Sequence, residues 1–258
     1  MLVNKILINF EHQKVDNTKG VVFIIHGIAE HLEYYRDLSH TLNEAGYDTI
    51  TYDLRGHGQS GGKRGYVKKY SDFVDDLHIL IRELTNKEDK IFLVGISLGG
   101  LIAQLYRIRY GHLSGVVTVG SPLTGIKVNF IQRIGLRLFG FLKMKTNFLD
   151  PKLSNNFDDV IEDPLALPYF HLRMGYQMLI RGAKHLEKNQ NKNLTPMLLM
   201  HGGDDKIVLP EVSKTFMERS NATDIEMIEY DGVKHMVFKD ILKEEAANDL
   251  IRWLDKRI

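Results

Sequence analysis

Residues 91–100 read IFLVGISLGG, an apolar run that gives way to small residues on either side of one serine. Ile91 to Val94 has the composition of a buried strand. The stretch after the run, LIAQLYRIRY, has the spacing of a helix and stops at Gly111, a residue suited to a left-handed cap. Between strand and helix lies a sharp turn with Ser97 at its apex. Such a turn strains the backbone and exposes the hydroxyl. It needs small residues two positions before and two after, because a larger one would collide across it. Gly95 and Gly99 stand at those positions, so the stretch reads as a G-x-S-x-G nucleophile elbow. Glycine and serine are common, and the pattern alone is a weak signal. Its meaning depends on the rest of the chain.

Working outward from the elbow, apolar runs alternate with helical periodicity. Val21 to Ile25 is a strand, followed by a helix from about Glu33 to Ala45 that ends at Gly46. Asp48 to Tyr52 is the next strand, and Ser71 is placed to cap a helix running to Leu84. Strands come next at Val116 to Val119, Met197 to Met200 and Ile225 to Glu229, with a helix started by Pro210 and a last one from about Lys239 to Arg257. Near-continuous apolar strands alternating with helices predict an α/β fold, a parallel sheet covered on both faces. The alternating N-terminus, MLVNKILINFEHQKVDN, reads as a strand pair and not as a signal peptide.

A serine hydroxyl is a poor nucleophile until a base takes its proton and a third group orients that base. In open parallel sheets such groups sit beyond the carboxyl ends of the strands. His235 is the one histidine after His201, and it comes after the strand IEMIEY across the short loop DGVK. Asp204 and Asp205 both come after the strand MLLMHGG, and the spacing leaves either as the acid. The chain order Ser97, aspartate, His235 is the one this elbow requires. Two backbone donors are placed for a developing oxyanion: the N–H of Leu98, directly after the serine, and that of Ile28 in FIIHGIAEH. His26 reads as a structural histidine fixing that loop, because the base position is already filled.

The 258 residues suffice for a single domain, 1–258, with ample core. Lys and Arg number 34 against 33 Asp and Glu, so no global field argues for nucleic acid. Cysteine is absent, which excludes disulfides, thiolate metal sites and cysteine catalysis. No run is apolar for long enough to span a membrane, and a cytoplasmic protein is the default expectation. The interval from about 122 to 194 is longer than one crossover helix needs. It opens with GIKVNFIQRIGLRLFGFLKMKTNFL, which has five basic residues and no acidic one. Gly135 and Gly140 weaken a continuous helix there, so two or more short helices are expected. They are either ordinary packing helices or a cap whose apolar residues line an acyl channel, with some facing outward toward a membrane. Phe139, Phe141, Leu142 and Phe148 cannot all bury against a sheet already covered by its regular helices. Lys127, Arg133, Arg137, Lys143 and Lys145, with no acidic partner in the segment, would be drawn to anionic lipid. The second reading makes the protein peripheral at a membrane.

These residues carry a resemblance. HGIAEH is similar to the H-G-x-x-E-H loop of α/β-hydrolases of the monoacylglycerol lipase and lysophospholipase family, which overlaps with S33 serine aminopeptidases. YDLRGHGQSGGKRGYVKKYSDFVDDL resembles that family's D-x-R-G-H-G-x-S segment, GISLGG its elbow, and LSNN through DPL a stretch of its cap. MHGGDDKIV resembles its H-G-x-x-D-x-x-V acid turn, and GVKHMVF its histidine segment. The resemblance spans most of residues 21–250. It implies an α/β-hydrolase fold with a mostly parallel central sheet, helices on both faces and an inserted helical cap. It makes Asp205 the acid in preference to Asp204, keeps Ile28 and Leu98 as oxyanion positions, and gives Arg55 and His57 scaffold roles.

The activity implied is two-step acyl transfer. Ser97 attacks an ester carbonyl, His235 takes its proton, and Asp205 holds the imidazole. The substrates implied are single-chain lipid esters such as monoacylglycerols or lysophospholipids, with no cofactor and no metal; HGIAEH lacks the helical spacing of a zinc site. An aminopeptidase is the alternative and would need a carboxylate for the substrate ammonium, for which Asp158, Asp159, Glu162 and Asp163 are available. A non-catalytic binding protein on the same fold is a further one. Haloalkane or epoxide chemistry would require an aspartate at position 97. Oligomeric state leaves no trace in the sequence.

Overall fold

The computed structural model describes residues 1–126, 128–147, 150–156 and 163–258, except for the side chains of Phe130 and Arg133. Lys127, Phe148, Asp158, Asp159 and Glu162 lie outside the described residues.

Strands β1 (Leu2–Val3) and β2 (Ile6–Leu7) form a two-residue antiparallel hairpin, and β3 (Phe10–Gln13) leaves it to join the main sheet. The expected N-terminal pair is therefore a small hairpin plus a separate edge strand. The main strands are β4 (Val21–Ile25), β5 (Asp48–Tyr52), β6 (Ile91–Ile96) and β7 (Gly115–Val119). After the insertion, which holds β8 (Lys143–Lys145) and β9 (Tyr169–His171), come β10 (Met197–Gly202) and β11 (Ile225–Tyr230). The seven-stranded sheet has the order β11-β10-β7-β6-β4-β5-β3, parallel throughout except for β3 at its edge. Its register puts Tyr52, Ile25, Gly95, Thr118, Leu199 and Met227 in one row across six strands. The loops that leave these six strands are thereby brought to a common edge.

Helices α1 (Arg36–Glu44), α2 (Ser71–Leu84) and α3 (Leu98–Tyr110) precede the insertion, which holds α4 (Phe130–Leu138), α5 (Leu172–Gly175) and α6 (Ala183–Asn189). Helices α7 (Glu211–Glu218) and α8 (Lys243–Asp255) come after it. Side chains alternate along each strand, so β4 sends Val22 and Ile24 to one core and Val21, Phe23 and Ile25 to the other. Leu38 and Leu42 of α1 and Leu250, Trp253 and Leu254 of α8 cover the first core. Phe73 and Leu77 of α2, Leu101 and Leu105 of α3 and Phe216 of α7 cover the second. The parallel sheet with helices on both faces is the expected one.

Three details differ from the sequence reading. Ser71 is the first residue of α2 and not its cap; Tyr70 precedes it, and no side chain caps the end. The last helix begins at Lys243, because the buried carboxylate of Asp240 holds the chain in another course by accepting the Lys234 and Ile241 N–H groups. Gly135 lies inside α4 facing open space; the helix ends at Leu138, capped by Phe139, and Gly140 comes after it, packed against Arg173. After Gly140 the chain forms β8, which pairs antiparallel with β9, in place of a second short helix. Helix α4 itself starts at a capping box: Asn129 Oδ1 accepts the Gln132 N–H, and Gln132 Oε1 accepts the Asn129 N–H. A turn of π-helix, Tyr176–Gly182, joins α5 to α6. The insertion returns to the sheet under Arg107 of α3, whose buried guanidinium donates to the carbonyls of Gln190, Lys192 and Asn193.

Candidate active site

The elbow is built as its residues require. Ser97 takes φ +50°, strained for a non-glycine residue, and its N–H donates to the Val119 carbonyl of β7 at 2.7 Å. A Cβ on Gly95 would lie 2.4 Å from the Gly99 carbonyl group, and one on Gly99 would lie 2.0 Å from the Ile25 carbonyl oxygen. Neither can be accommodated, since both obstacles are backbone. The strand and helix thus approach as closely as the absence of two side chains permits.

Ser97 Oγ donates to His235 Nε2 at 3.1 Å, and His235 Nδ1 donates to Asp205 Oδ2 at 2.7 Å. A carboxylate can only accept, so Nδ1 carries the proton and Nε2 is left with a lone pair toward the serine. Of the two aspartates after β10, Asp205 is fully buried while Asp204 is exposed. Asp205 Oδ1 accepts the N–H groups of Ile207 and Val208 at 2.8 and 3.0 Å. Burial alone would raise the Asp205 pKa. Hydrogen bonds from His201 and His235 and from the Val208 N–H overcome it and hold the carboxyl well below the usual carboxylate range.

His201 had no role in the sequence reading. Its Nε2 lies 2.8 Å from the Val208 carbonyl and 3.3 Å from Asp205 Oδ2, both acceptors, so Nε2 carries the proton and Nδ1 accepts from Ser213 Oγ at 2.8 Å. The signal was its place four residues before Asp205, near the end of β10.

Opposite the serine, the loop after β4 runs His26-Gly27-Ile28-Ala29-Glu30. A Cβ on Gly27 would come within 3.3 Å of Ser97 Cβ, so this loop lies directly on the elbow. The Ile28 and Leu98 N–H groups donate to no acceptor among the described residues. Ala29 comes next at φ +69°, which turns the loop sharply. Glu30, another residue the sequence reading passed over, fixes the loop from beneath: its Oε2 accepts the Gly27 N–H and the Tyr35 hydroxyl, each at 2.7 Å. Burial lifts the Glu30 carboxyl above the usual range, and those two donors partly oppose the rise. A lone acid in an otherwise apolar loop was the available sign.

His26 and His57 hold scaffold positions. His26 Nδ1 donates to the Gly27 carbonyl at 2.7 Å, and its Nε2 accepts the Leu54 N–H at 2.9 Å. Burial pushes both histidines down to about 3, so each is neutral. Asp53 gathers the Leu32 and Gln59 N–H groups and the Asn9 amide, and Arg55 pairs with buried Asp76. The insertion reaches this loop too: the Leu167 N–H donates to the Ala29 carbonyl at 2.8 Å, and Asp163 pairs with His31.

A doubly covered parallel sheet whose serine elbow, acid and histidine lie just beyond β6, β10 and β11 defines an α/β-hydrolase. The model of the serine aminopeptidase S33 family matches residues 16–241, and the chain belongs to that family. It stands with the family's monoacylglycerol-lipase-like members, and it is a hydrolase of the carboxylic-ester class. A monoacylglycerol lipase of Mycolicibacterium smegmatis is 28% identical over 251 residues, covering 92% of this chain and 88% of that protein. An abhydrolase domain-containing protein of Dictyostelium discoideum is 30% identical over 251 residues, though the chain spans only 26% of its length. The crystal structure of the Paleococcus ferrophilus monoacylglycerol lipase superposes with a TM-score of 0.86 at 28% identity, covering 97% of this chain and 99% of that one.

Proposed function

We propose that this protein hydrolyses single-chain lipid esters, monoacylglycerols foremost, through an acyl-enzyme on Ser97. The observation that carries the reading is the relay of 3.1 and 2.7 Å from Ser97 through His235 to Asp205, set beside two backbone donors that have no acceptor among the described residues. His235 Nε2 takes the Ser97 proton as Oγ attacks the ester carbonyl. The carbonyl oxygen, now negative, is received by the N–H groups of Ile28 and Leu98; the latter stands at the start of α3, where the helix dipole favours negative charge. His235 then gives its proton to the departing alcohol. Water then attacks the acyl carbonyl as His235 takes its proton; the bond to Ser97 Oγ breaks, His235 returns that proton to Oγ, and the acid leaves with Ser97 restored. Asp205 keeps the proton on Nδ1 throughout and stabilises the imidazolium between steps.

The insertion, 122–194, serves in this reading as a cap that meets a lipid surface. Ile131 and Leu138 of α4 are 79% and 65% exposed, and Phe141 just beyond is 64% exposed. Arg137 and Lys145 stand among them, whereas Lys143 lies over the Tyr169 ring at 3.8 Å and is partly engaged. Among the described residues no helix is long and apolar enough to cross a membrane, so contact would be peripheral. A patch of this kind favours substrates presented by a bilayer, with one acyl chain drawn toward Ser97.

The peptidase reading needs a free carboxylate for the substrate ammonium. Asp163 is committed to His31 and to the N–H groups of Leu165 and Ala166, which weighs against it as that group. The test is a substrate panel: a monoacylglycerol, a lysophospholipid, a triacylglycerol and an aminoacyl anilide, with wild type and Ser97→Ala side by side. Fastest turnover of the monoacylglycerol, and none by the variant, is expected. Preference for the anilide would overturn the substrate assignment.

A further inference from the structure

The loop that carries His235 is not held by the sheet alone. It is also held by a strip of the insertion, Leu153–Asn155. The Met236 N–H, next to His235, donates to the Leu153 carbonyl at 2.8 Å. Ser154 Oγ donates to the Lys239 carbonyl at 2.9 Å, and Asn155 Nδ2 donates to the Gly232 carbonyl at 2.8 Å. Between strip and loop lies the carboxylate of Asp240, 1% exposed. Its Oδ2 accepts the Lys234 N–H at 2.9 Å, one residue before His235. Its Oδ1 accepts the N–H groups of Asn155 at 3.1 Å and Ile241 at 2.8 Å. One oxygen thus faces the histidine loop, and the other faces the insertion.

We infer that Asp240 is a positioning residue for His235, and that its carboxylate fastens the histidine loop to the insertion strip Leu153–Asn155, so that the base is in register only while the strip is docked. This rests on the reading of His235 as the base. Burying a carboxylate is costly unless its oxygens are hydrogen-bonded, and here three backbone donors bind it, at least one on each oxygen. His235 has no regular element of its own. It sits past the end of β11 and before α8; Asp205 orients its ring, and backbone contacts on either side of it hold its main chain. Those contacts are to Asp240 through Lys234 and to Leu153 through Met236. The strip belongs to the same insertion as α4, which gives that insertion a mechanical path to the base that does not pass through substrate.

Asp240→Asn separates the two halves of the joint. The amide oxygen goes to the side with two donors, Asn155 and Ile241, and the NH2 then faces the Lys234 N–H, donor against donor. The tie to the histidine loop is lost while that to the insertion is kept. A displaced base costs on the order of 10²-fold per ångström. On a short soluble ester, with rates per site titrated by a fluorophosphonate, we expect kcat to fall about 10- to 100-fold and KM to stay within about twofold. Asn155→Ala removes an exposed side chain that reaches Gly232, and should lower kcat several-fold with the melting temperature unchanged. Because both act on one joint, the double variant should be little slower than Asp240→Asn alone. Should Asp240→Asn fail to fold, Asn155→Ala carries the test by itself. A kcat within twofold of wild type for the testable variants, or effects that multiply in the double variant, would overturn the inference. If Ser97→Ala stays active, it is the underlying reading that fails; if that variant is dead and Asp240→Asn is normal, only this inference does.

Discussion

Replacing Asp205 by asparagine tests the site at the atom on which its chemistry turns. The oxygen that accepts the Ile207 and Val208 N–H groups would remain, because two backbone donors fix it there. The new NH2 then takes the place of Oδ2, opposite His235 Nδ1 and His201 Nε2. A donor in that place forces His235 to accept at Nδ1, which moves its proton to Nε2, the atom facing Ser97. A protonated Nε2 cannot take the serine proton. Triads in which the tautomer is reversed in this way lose about 10⁴ in kcat, equivalent to about 5 kcal/mol of transition-state stabilisation. His201 adapts more cheaply: it can turn its proton to Nδ1 and donate to Ser213, at the loss of the Val208 bond, about 1 kcal/mol of stability. The expected result is thus a folded protein with slightly lower stability and turnover down by about four orders of magnitude. The assay is steady-state hydrolysis of a soluble ester, with circular dichroism melting on the same sample. Activity within tenfold of wild type would refute the reasoning, as would an equal loss in Asp204→Asn, whose side chain is exposed.

Stability should fall on acidification in two windows. His26 and His57 bind protons in the unfolded chain below about 6.5 but resist them down to about 3 when folded, so acid favours unfolding across that range by up to about 1.4 kcal/mol per pH unit for each. Asp205, whose folded pKa is depressed, contributes stability that is present above the ordinary aspartate value and fades as pH falls below about 4. Urea midpoints measured from pH 7 to 3 check both, and a flat profile between 6.5 and 4 would contradict the histidine assignment. Gly99→Ala should prevent accumulation of folded protein, because its methyl group would overlap the Ile25 carbonyl; a soluble, active variant would show that the elbow tolerates what its geometry forbids. Arg137→Glu with Lys145→Glu should weaken binding to anionic vesicles, a loss of about 1 kcal/mol per removed cation, and leave hydrolysis of a short soluble ester unchanged. Equal vesicle binding by the variant would make the exposed face of α4 a packing element only.

The strands and most helices were legible because each carries a local signal: uniform apolar runs for β4, β6 and β7, and helical spacing for α3 and α8. Ser97, His235 and the pair Asp204/Asp205 were legible because strand ends on a parallel sheet converge on one edge. The row from Tyr52 to Met227 shows that convergence. The choice of Asp205 over Asp204 came from a resemblance and not from spacing, since neighbouring positions differ only in which way the turn sends them. What escaped were groups whose partners are distant in sequence. His201 and Glu30 act through Ser213 and Tyr35, Asp240 through Asn155, and none of these pairings leaves a periodic trace. The β8–β9 pair escaped for a related reason: Lys-Met-Lys is no strand former by itself, and it is extended because Tyr169–His171 supplies its partner. Gly135 misled because helix propensity is a weak prior, which tertiary context and the Asn129 cap outweigh.

The central claim is that Ser97 is acylated by a lipid ester. Its most direct measurement is mass spectrometry of the protein quenched with acid during steady turnover of a monoacylglycerol, with peptide mapping of the product. A mass increase equal to one fatty acyl group, on the peptide containing Ser97 and absent from Ser97→Ala, is the predicted result. Turnover with no acyl adduct in the wild type at any quench time, or with the adduct on another residue, would contradict it.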